Sequence, residues 1–393
     1  MALKRGVAAA PVHGRRVLVR VDFNVPQTPT GAVADDRRIV EAIPTLRHLQ
    51  AAGARTIIMS HLGRPGGRRD PKLTLRPVAH TLSRYLGLPV PFAEDAVGAQ
   101  ALQSAVRLQN GEFLMLENLR FHPGEEANDP GFAAQLAQLG ELFVEDAFGT
   151  VHRAHASTVG VAKKLPAFAG LLVEREVRAL SRLVDGPERP YVPILGGAKV
   201  SDKLPLLESF LGRADALLIG GALAFPFLKA RGAELGATPV EPGLEPAIEA
   251  FFEAAERTGT PVHLPKDLLI ERPGSRDASA APADHLPEGA IARDIGPRTR
   301  DLFYAVLTGS KTVFWNGPLG MAEDPRFAPG TREVLAGLMT LPGFHVCAGG
   351  DSARVAQDLG VEGAFQYIST GGGAALEFVQ GLELPGLAVI PNA

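Results

Sequence analysis

Short apolar runs alternate with amphipathic stretches along the whole chain. The runs lie at residues 17–21, 56–59, 113–116 and 142–144, and later at 192–195, 217–219, 312–315, 344–348 and 367–370. Runs of this length between helical stretches are typical of buried parallel strands. Helical spacing is clear after Asp35-Asp36-Arg37-Arg38, where Ile39, Ile43, Leu46 and Leu49 recur every three or four residues. The pattern predicts an α/β fold with mainly parallel sheets.

The break between two such units is expected within residues 165–190. Ala169-Gly170 precedes an amphipathic stretch from Leu171 to Val184, and Asp185-Gly186-Pro187 follows it. Glycine and proline after a periodic segment are typical of a helix end. With 393 residues the chain exceeds one usual core, so we expect two α/β domains joined by a helix.

Composition narrows the function classes. The chain is 46% hydrophobic and 21% charged, as is usual for a globular protein, and its formal net charge of −3 offers no general attraction for nucleic acid. The one cysteine, Cys347, excludes an internal disulfide framework and fits a reducing compartment. The sequence has no run of about 18 apolar residues, and its start does not resemble a signal peptide. We expect a cytoplasmic protein without a membrane anchor.

Four arginines in the first half follow apolar runs or begin a helix: Arg38, Arg64, Arg120 and Arg153. Asp22, Asn24 and His61 lie near the same predicted strand ends. Open α/β sheets bind ligands at the carboxyl ends of their strands, and guanidinium groups match carboxylate and phosphate geometry. A single arginine is usually a surface residue, but this set predicts a pocket for a small acid with several negative charges.

The second half repeats a different device, in which an apolar run leads to consecutive glycines. The glycine turns are Gly196-Gly197, Gly220-Gly221, Gly349-Gly350 and Gly371-Gly372-Gly373. Glycine at a strand-to-helix turn permits positive φ and a close approach of backbone N–H groups to phosphate. Four such turns indicate a nucleotide-sized ligand, although neither the P-loop nor the dinucleotide-binding glycine motif is present.

Several polar residues beside these glycines have two interpretations. Lys199 and Lys203 are predicted on one face of a helix start, where they either bind a polyphosphate or are simply solvated. Asp351 and Ser352 either cap a helix or, for Asp351, bind Mg²⁺. Asn316-Gly317-Pro318 fits an ordinary turn. The residue types alone leave these alternatives open.

The order and spacing of the motifs resemble the phosphoglycerate kinase family from about residue 15 to the C-terminus. The matching segments are Arg20-Val21-Asp22-Phe23-Asn24-Val25-Pro26, Ser60-His61-Leu62-Gly63-Arg64-Pro65, Leu116-Glu117-Asn118-Leu119-Arg120-Phe121, Asp146-Ala147-Phe148-Gly149, Gly196-Gly197-Ala198-Lys199-Val200, Trp315-Asn316-Gly317-Pro318, Gly349-Gly350-Asp351 and Ser369-Thr370-Gly371-Gly372-Gly373-Ala374.

The resemblance implies two Rossmann-like three-layer α/β/α domains joined by a helix hinge. Residues 1–168, with a tail of about 382–393, would bind the triose acid; 169–188 would form the interdomain helix; 189–381 would bind the nucleotide. It implies a phosphotransferase with a carboxyl group as acceptor. The reaction would be reversible, Mg²⁺-dependent transfer from 1,3-bisphosphoglycerate to ADP, giving 3-phosphoglycerate and ATP, with domain closure.

The resemblance also carries roles to matching positions. Asp22, Asn24, Arg38, His61, Arg64, Arg120 and Arg153 would bind the triose acid. Gly196, Gly197, Gly220 and Gly221 would line the base pocket, Glu323 would bind the ribose, and Lys203, Asn316, Gly350 and Ser352 would lie at the nucleotide. Asp351 would bind Mg²⁺, while Arg38, Lys199 and the backbone of Gly371, Gly372 and Gly373 would contact the transferring phosphoryl group.

The sequence departs from the family pattern at a few small residues. Ala222 and Ala348 replace glycines, and Ser352 stands where threonine is common. Two other functions are consistent with glycine-rich turns in an α/β fold. An NAD-dependent oxidoreductase would need a dinucleotide-binding glycine motif, and a catalytically silent nucleotide-binding protein would be expected to lack the residues above. We expect a monomer that binds neither nucleic acid nor membrane.

Overall fold

A computed structural model describes residues 3–393; residues 1 and 2 of the predicted first domain lie outside it. The chain divides into two compact units. One ends at Leu180 and takes in Leu382–Ala393, and the other is Ser181–Gly381. The boundary falls inside helix α6 (Leu171–Val184), whose predicted ends are confirmed.

The first unit is built on a five-stranded parallel sheet. Its strands, in the spatial order β3-β2-β1-β4-β5, are β1 (Arg16–Arg20), β2 (Arg55–Met59), β3 (Phe113–Met115), β4 (Leu142–Glu145) and β5 (Ala167–Ala169). The helices are α1 (Arg37–Ala51), α2 (Arg76–Leu86), α3 (Ala99–Arg107), α4 (Pro123–Glu126) and α5 (Pro130–Ala137). The strands predicted before residue 150 are therefore confirmed.

Both faces of this sheet are covered. Val17 and Val19 of β1 belong to a buried cluster with Ile39 and Leu46 of α1. Leu18, which points to the opposite face, is also fully buried. This burial on both faces explains why the strand sequences are almost continuously apolar rather than alternating.

The second unit contains a six-stranded parallel sheet in the order β14-β13-β12-β6-β7-β8. Its strands are β6 (Tyr191–Leu195), β7 (Leu217–Ile219), β8 (Val262–His263), β12 (Thr312–Asn316), β13 (Phe344–Cys347) and β14 (Tyr367–Ile368). The helices are α7 (Leu204–Ser209), α8 (Ala224–Ala230), α9 (Glu245–Thr258), α10 (Pro297–Leu307), α11 (Pro329–Leu338), α12 (Gly350–Asp358) and α13 (Gly373–Val379). A parallel α/β fold is confirmed here too.

A small antiparallel sheet was not foreseen. It consists of β9 (Asp267–Glu271), β10 (Ser279–Pro282) and β11 (Ile291–Ile295), in the order β10-β9-β11. The segment between β9 and β10 contains Pro273 and Gly274, and β11 is interrupted by an irregularity between Ala292 and Asp294. Short strands with such interruptions have too little alternation to be read from sequence.

The C-terminal segment packs with the first unit. It contains α14 (Pro385–Ala388), where the Gly386 N–H donates to the Val151 carbonyl at 2.8 Å. The Arg5 N–H donates to the Pro391 carbonyl at 2.8 Å. Among residues 3–393, no helix has the length and apolar composition needed to cross a membrane.

Candidate active site

In the first unit, the carboxyl ends of neighbouring parallel strands lie at one edge of the sheet. Asp22 and Asn24 follow β1, His61 and Arg64 follow β2, Arg120 follows β3, and Arg153 follows β4. Arg38 joins them from the first turn of α1. A parallel sheet thus gathers residues that are far apart in the sequence at the edge where such folds bind ligands.

Asp22 holds Arg38 at the surface of this edge. Arg38 Nη1 donates to Asp22 Oδ2 at 2.6 Å, and the arginine side chain remains 38% exposed. Burial opposes ionisation of Asp22, but the Arg38 guanidinium, with that of Arg20, keeps the pKa of Asp22 below its usual value. Asp22 is therefore an anion that orients an accessible cation.

The turn before Arg64 is fixed by two predicted residues. Asn24 Oδ1 accepts a hydrogen bond from the Gly63 N–H at 2.9 Å, and Arg120 Nη1 donates to the Gly63 carbonyl at 2.7 Å. Arg64 itself is exposed and has no ion-pair partner within residues 3–393. Its guanidinium group is thus available to an anion in solution.

Arg120 and Arg153 lie within electrostatic reach of each other. Burial lowers the pKa of Arg120, and the charge of Arg153 lowers it further, against the opposing effect of Glu126. Arg153 Nε donates to His152 Nε2 at 3.1 Å, and burial and the Arg153 charge lower the pKa of His152. A bound anion would relieve this repulsion between positive groups.

Arg20 belongs to the site although its sequence motif predicts no role for it. Its side chain is 1% exposed, its Nη2 lies 3.0 Å from His61 Nδ1, and its Nε donates to Ser157 Oγ at 2.9 Å. Because arginine can only donate, Nδ1 of His61 accepts this bond. Burial, opposed by Asp22, brings the pKa of His61 well below its usual value, so the ring is neutral. An arginine inside an apolar strand was the available signal, since buried charges are almost always paired.

Two further histidines of the first unit, His122 and His155, have local contacts. His122 Nε2 lies 2.6 Å from Asp95 Oδ1, and its ring stacks on Phe132. His155 Nδ1 lies 3.7 Å from Glu125 Oε1, while burial first, and nearby arginines second, lower its pKa to about 4. Both histidines therefore make local structural contacts.

In the second unit, two of the glycine turns line a cavity of about 290 Å³. Gly197 and Gly221 line it and have φ values of +101° and +64°. Gly196 and Gly220 lie behind them: a Cβ at Gly196 would be 2.1 Å from the Pro318 carbonyl oxygen, and one at Gly220 would be 2.7 Å from Leu319. Glycine is therefore needed here for close backbone packing as well as for conformation.

The other predicted cavity residue is Glu323. It lines the cavity together with Ala222, Phe225, Pro239, Arg293 and Met321. Ala222, where the family resemblance leads one to expect glycine, is thus part of the cavity wall. Arg293 comes from β11, so the antiparallel sheet contributes a wall that the sequence analysis missed.

Lys203 is anchored beside the first glycine turn. Its Nζ donates to the Gly196 carbonyl at 2.5 Å and to the Asn316 carbonyl at 3.2 Å. Burial lowers the pKa of Lys203 to about 8, although Asp351 acts in the opposite direction. The lysine therefore ties two ligand-facing turns together and carries a charge sensitive to its surroundings.

The predicted helical face bearing Lys199 and Lys203 is wrong. Helix α7 begins at Leu204, with Lys203 as its N-cap, and residues 196–203 form turns. Proline at position 205 suits only the first turn of a helix, so a helix that began several residues earlier could not continue through it. The positive φ of Gly197 also keeps that residue out of a helix. Lys199 is exposed in the turn before α7.

The residues around α12 have separate roles. Asp351 is 90% exposed and lies 3.2 Å from Arg354. Ser352 Oγ accepts a hydrogen bond from the Gly317 N–H at 2.8 Å, and the N-cap residue of α12, Gly349, supplies no side-chain cap. The capping interpretation of Asp351 and Ser352 is therefore wrong. Gly350 is the first residue of this helix.

Asn316 connects β12 to the same region. Its Nδ2 donates to the Ala348 carbonyl at 2.6 Å, and Oδ1 is buried without a hydrogen-bond partner in the part of the chain that the structure describes. Asn316 therefore does more than form a turn. Its side chain links the ends of β12 and β13 and leaves one acceptor unused.

The fourth glycine motif, Gly371-Gly372-Gly373, precedes the short helix α13. The Gly371 N–H donates to Ser369 Oγ at 3.1 Å, Gly372 has φ +54° and ψ −122°, and Gly373 begins the helix. The Gly371 amide is therefore already engaged within its own turn. The backbone conformation at Gly372 is one that other residues rarely adopt.

Comparison with known proteins gives this arrangement a family. The family model described as phosphoglycerate kinase matches residues 7–382. The phosphoglycerate kinase of Thermus thermophilus is 51% identical over 381 residues, which cover 96% of this chain and 97% of the relative. That of Rubrobacter xylanophilus is 48% identical over 390 residues, with 99% and 98% covered. The chain belongs to the phosphoglycerate kinase family.

Solved structures agree. The phosphoglycerate kinase of Coxiella burnetii superposes with a TM-score of 0.90 at 35% identity, and that of Pyrococcus horikoshii with 0.82 at 32%. Each comparison covers 98% of both chains. The family resemblance and the fold of two α/β domains are thus confirmed, and the chain is a phosphotransferase with a carboxyl group as acceptor. The oxidoreductase alternative is wrong.

Proposed function

We propose that this member of the phosphoglycerate kinase family catalyses reversible, Mg²⁺-dependent transfer between 1,3-bisphosphoglycerate and ADP, giving 3-phosphoglycerate and ATP. The observation that carries the proposal is the pairing of two different anion-suited sites in one chain. An arginine cluster lies at the sheet edge of the first unit, and a glycine-lined cavity beside Lys203 lies in the second.

The first site would bind the triose acid through its positive groups. Arg38, Arg64, Arg120 and Arg153 supply guanidinium groups, and charge-assisted bonds from such groups are worth about 1.5–3 kcal/mol each. Neutral His61 accepts at Nδ1 from Arg20, which leaves its other ring nitrogen as a donor. Asp22 and Asn24 would accept from hydroxyl groups or orient the cations. A small molecule with both carboxylate and phosphate suits this set.

The second site would bind the nucleotide in the cavity near Gly197 and Gly221. The glycine backbone in its wall would let a flat base approach closely. Glu323, which also lines the cavity, would offer an acceptor for the ribose hydroxyl groups. Lys203, with Asn316, Gly350 and Ser352 nearby, would lie along the phosphates. Gly196 and Gly220 would shape the base pocket from behind.

Mg²⁺ would be shared between the protein and the nucleotide. This ion is usually bound by one or two carboxylates plus phosphate oxygens and water. Asp351 fits, because its carboxylate is 90% exposed at the start of α12. No cluster of three or more histidine, cysteine or acidic side chains suited to a metal lies within residues 3–393, and a shared ion needs none. The ion would neutralise phosphate charge.

The chemistry asks the protein mainly to position and neutralise charge. Phosphoryl transfer has a loose transition state with charge spread over the equatorial oxygens. Arg38 from the first site and Lys199 from the second would stabilise this charge, each by about 10²–10³ in rate. The N–H groups at Gly371, Gly372 and Gly373 would assist, with that of Gly371 leaving Ser369 to do so. A carboxylate nucleophile needs no general base.

Because the two sets of residues belong to different units, we further propose that transfer requires domain closure about α6, which would exclude water from the acyl phosphate. Residues 1–168 with 382–393 would form the triose-acid domain, 169–188 the connecting helix, and 189–381 the nucleotide domain. We propose a cytoplasmic monomer that partners neither nucleic acid nor membrane.

The test is Mg²⁺-dependent ATP formation from 1,3-bisphosphoglycerate and ADP by the whole chain. Arg38→Ala and Lys199→Ala should each reduce kcat by about 10²-fold or more while circular dichroism stays unchanged. Arg84→Ala, an exposed arginine on α2, serves as a matched control and should retain wild-type turnover.

Absence of turnover in folded wild-type protein would contradict the proposal. It would favour the catalytically silent binding protein, for which ADP titration should still show saturable binding. Turnover that persists without Mg²⁺ would contradict the assignment of Asp351.

A further inference from the structure

The turn that carries Lys199 is held by a carboxylate from a separate loop. Glu241 Oε2 accepts hydrogen bonds from the Val200 N–H at 2.9 Å and, less closely, from the Ser201 N–H at 3.4 Å. The Val200 N–H belongs to the peptide group that begins with the Lys199 carbonyl. Holding this group restricts the backbone rotation that determines where the Lys199 side chain starts.

The remainder of the turn is fixed by other contacts. At its beginning, the Gly197 N–H donates to the Pro318 carbonyl at 2.8 Å, and the Gly197 carbonyl accepts from the Leu223 N–H at 2.8 Å. At its end, Lys203 Nζ donates to the Gly196 carbonyl. Between these points, Lys199 is exposed. Glu241 supplies the tertiary hydrogen bonds in the middle of the turn.

Glu241 is itself delivered by a well-anchored segment. The Ala237 N–H donates to the Ala290 carbonyl, and Thr238 Oγ1 accepts from the Ala292 N–H, both at 2.9 Å. Pro239, two residues before Glu241, lines the cavity of the second unit. The loop therefore connects the cavity wall, at Pro239, to the Lys199 turn, which Glu241 contacts by hydrogen bonds.

We propose that Glu241 is a positioning residue for Lys199, acting as a hydrogen-bond acceptor that fixes the Lys199 turn. The inference rests on the proposed function of Lys199. Lys199 is proposed to stabilise the charge on the phosphoryl group in the transition state. If the lysine is misplaced, this stabilisation is mostly lost, whereas the binding of substrates in the ground state changes little. Loss of Glu241 is therefore expected to lower kcat rather than weaken substrate binding.

The test compares Glu241→Ala, which removes the acceptor, with Glu241→Gln, which keeps a carbonyl oxygen and loses the charge. Steady-state kinetics use 3-phosphoglycerate and Mg-ATP with the full chain. We expect Glu241→Ala to lower kcat at least tenfold, with KM for 3-phosphoglycerate within twofold of wild type. Glu241→Gln should retain at least half of kcat. Glu253→Ala, an exposed glutamate on α9, is the matched control and should equal wild type.

Hydrogen exchange provides a readout that does not depend on activity. The amides of residues 198–203 should exchange faster in Glu241→Ala and at the wild-type rate in Glu241→Gln. A wild-type kcat in Glu241→Ala, or an equal loss in both variants, would overturn the proposal. Wild-type protein without turnover would instead contradict the proposed function, and the exchange comparison would still decide whether Glu241 holds the turn.

Discussion

At the sheet edge of the first unit, the charge of one side chain affects the protonation state of its neighbour. Arg20 is buried between His61 and Ser157, and Ser157 Oγ donates in turn to Glu125 Oε1 at 2.6 Å. Burial raises the pKa of Glu125, but its two hydrogen bonds from Ser157 and the Arg20 charge oppose this shift. The exposed cations therefore lie beside a buried hydrogen-bond network in which the charge state of each polar group depends on its neighbours.

Replacement of Arg20 by alanine should destabilise the protein strongly. Removing one member of a buried charged network costs about 3–5 kcal/mol, because the partners remain buried and lose their hydrogen bonds. We expect this loss in the free energy of unfolding, measured by urea denaturation. Arg5→Ala, which removes an arginine that stacks on Phe168, should cost less than half as much. Equal losses would contradict the network interpretation.

Lys203 predicts a pH dependence for nucleotide use. Burial lowers its pKa to about 8, so in the free enzyme the ammonium group is charged below pH 8 and neutral above it. Because phosphate binding needs the charged form, kcat/KM for ATP should fall as pH rises through 8. The measurement is a pH profile from about 6.5 to 9.5 with saturating 3-phosphoglycerate.

Lys203→Arg provides the control for this profile. A guanidinium group stays protonated throughout the range, so the decline above pH 8 should disappear even if the absolute rate is lower. A decline of the same shape in the variant would assign the titration to another group.

Among structural elements, the turns between strands and helices determine the second site. Gly197, Gly221 and Gly349 each have positive φ at the end of a strand-associated turn. At Gly221 the requirement is double, since a Cβ would lie 2.7 Å from the Pro318 carbonyl oxygen and 3.1 Å from the Gly197 nitrogen. The turn at Gly221 can form only because its backbone packs directly against the backbone of Pro318 and Gly197.

Gly221→Ala should therefore impair the cavity. Gly232→Ala is the matched control, because its φ of +88° imposes similar strain while nothing lies within 4 Å of its Cβ. Strain alone costs about 1 kcal/mol in either variant. We expect Gly221→Ala also to raise KM for ATP at least fivefold and leave KM for 3-phosphoglycerate unchanged. Calorimetry and steady-state kinetics measure the two effects, and equal KM values in both variants would contradict the role of contact.

For the whole molecule, the division into two compact units separates the two proposed ligands. The residues proposed to bind the triose acid all precede Leu180, and those proposed to bind the nucleotide all lie within Ser181–Gly381. Helix α6 contains the boundary between the units, and the C-terminal segment belongs to the first. Each ligand given alone should therefore act first on its own unit.

Hydrogen exchange with single ligands tests this separation. 3-Phosphoglycerate should protect the segments around residues 22–24, 61–64 and 120, and Mg-ADP should protect those around 196–203 and 316–317. Ordering of ligand-facing backbone slows its local opening, which is the physical basis of the protection. Protection by 3-phosphoglycerate at 196–203, with none at 61–64, would contradict the assignment of the two sites.

Elements that depend on a local residue pattern could be predicted before the fold was known. The continuous apolar runs of the parallel strands follow from burial on both faces, and α6 was delimited by its periodicity and the glycine and proline beyond it. The motifs also identified the family, and the phosphoglycerate kinase family model matches residues 7–382. These signals are local, so they survive without knowledge of the fold.

Tertiary structure decided what depends on partners distant in sequence. The position of Gly197 is held by backbone hydrogen bonds to Pro318 and Leu223, and the antiparallel sheet forms by pairing strands too short to be recognised. The state of His61 follows from Arg20, and the hold on Lys199 follows from Glu241. Hydrogen bonds and desolvation depend on which groups are close in space, and the spacing of residues along the chain does not show this.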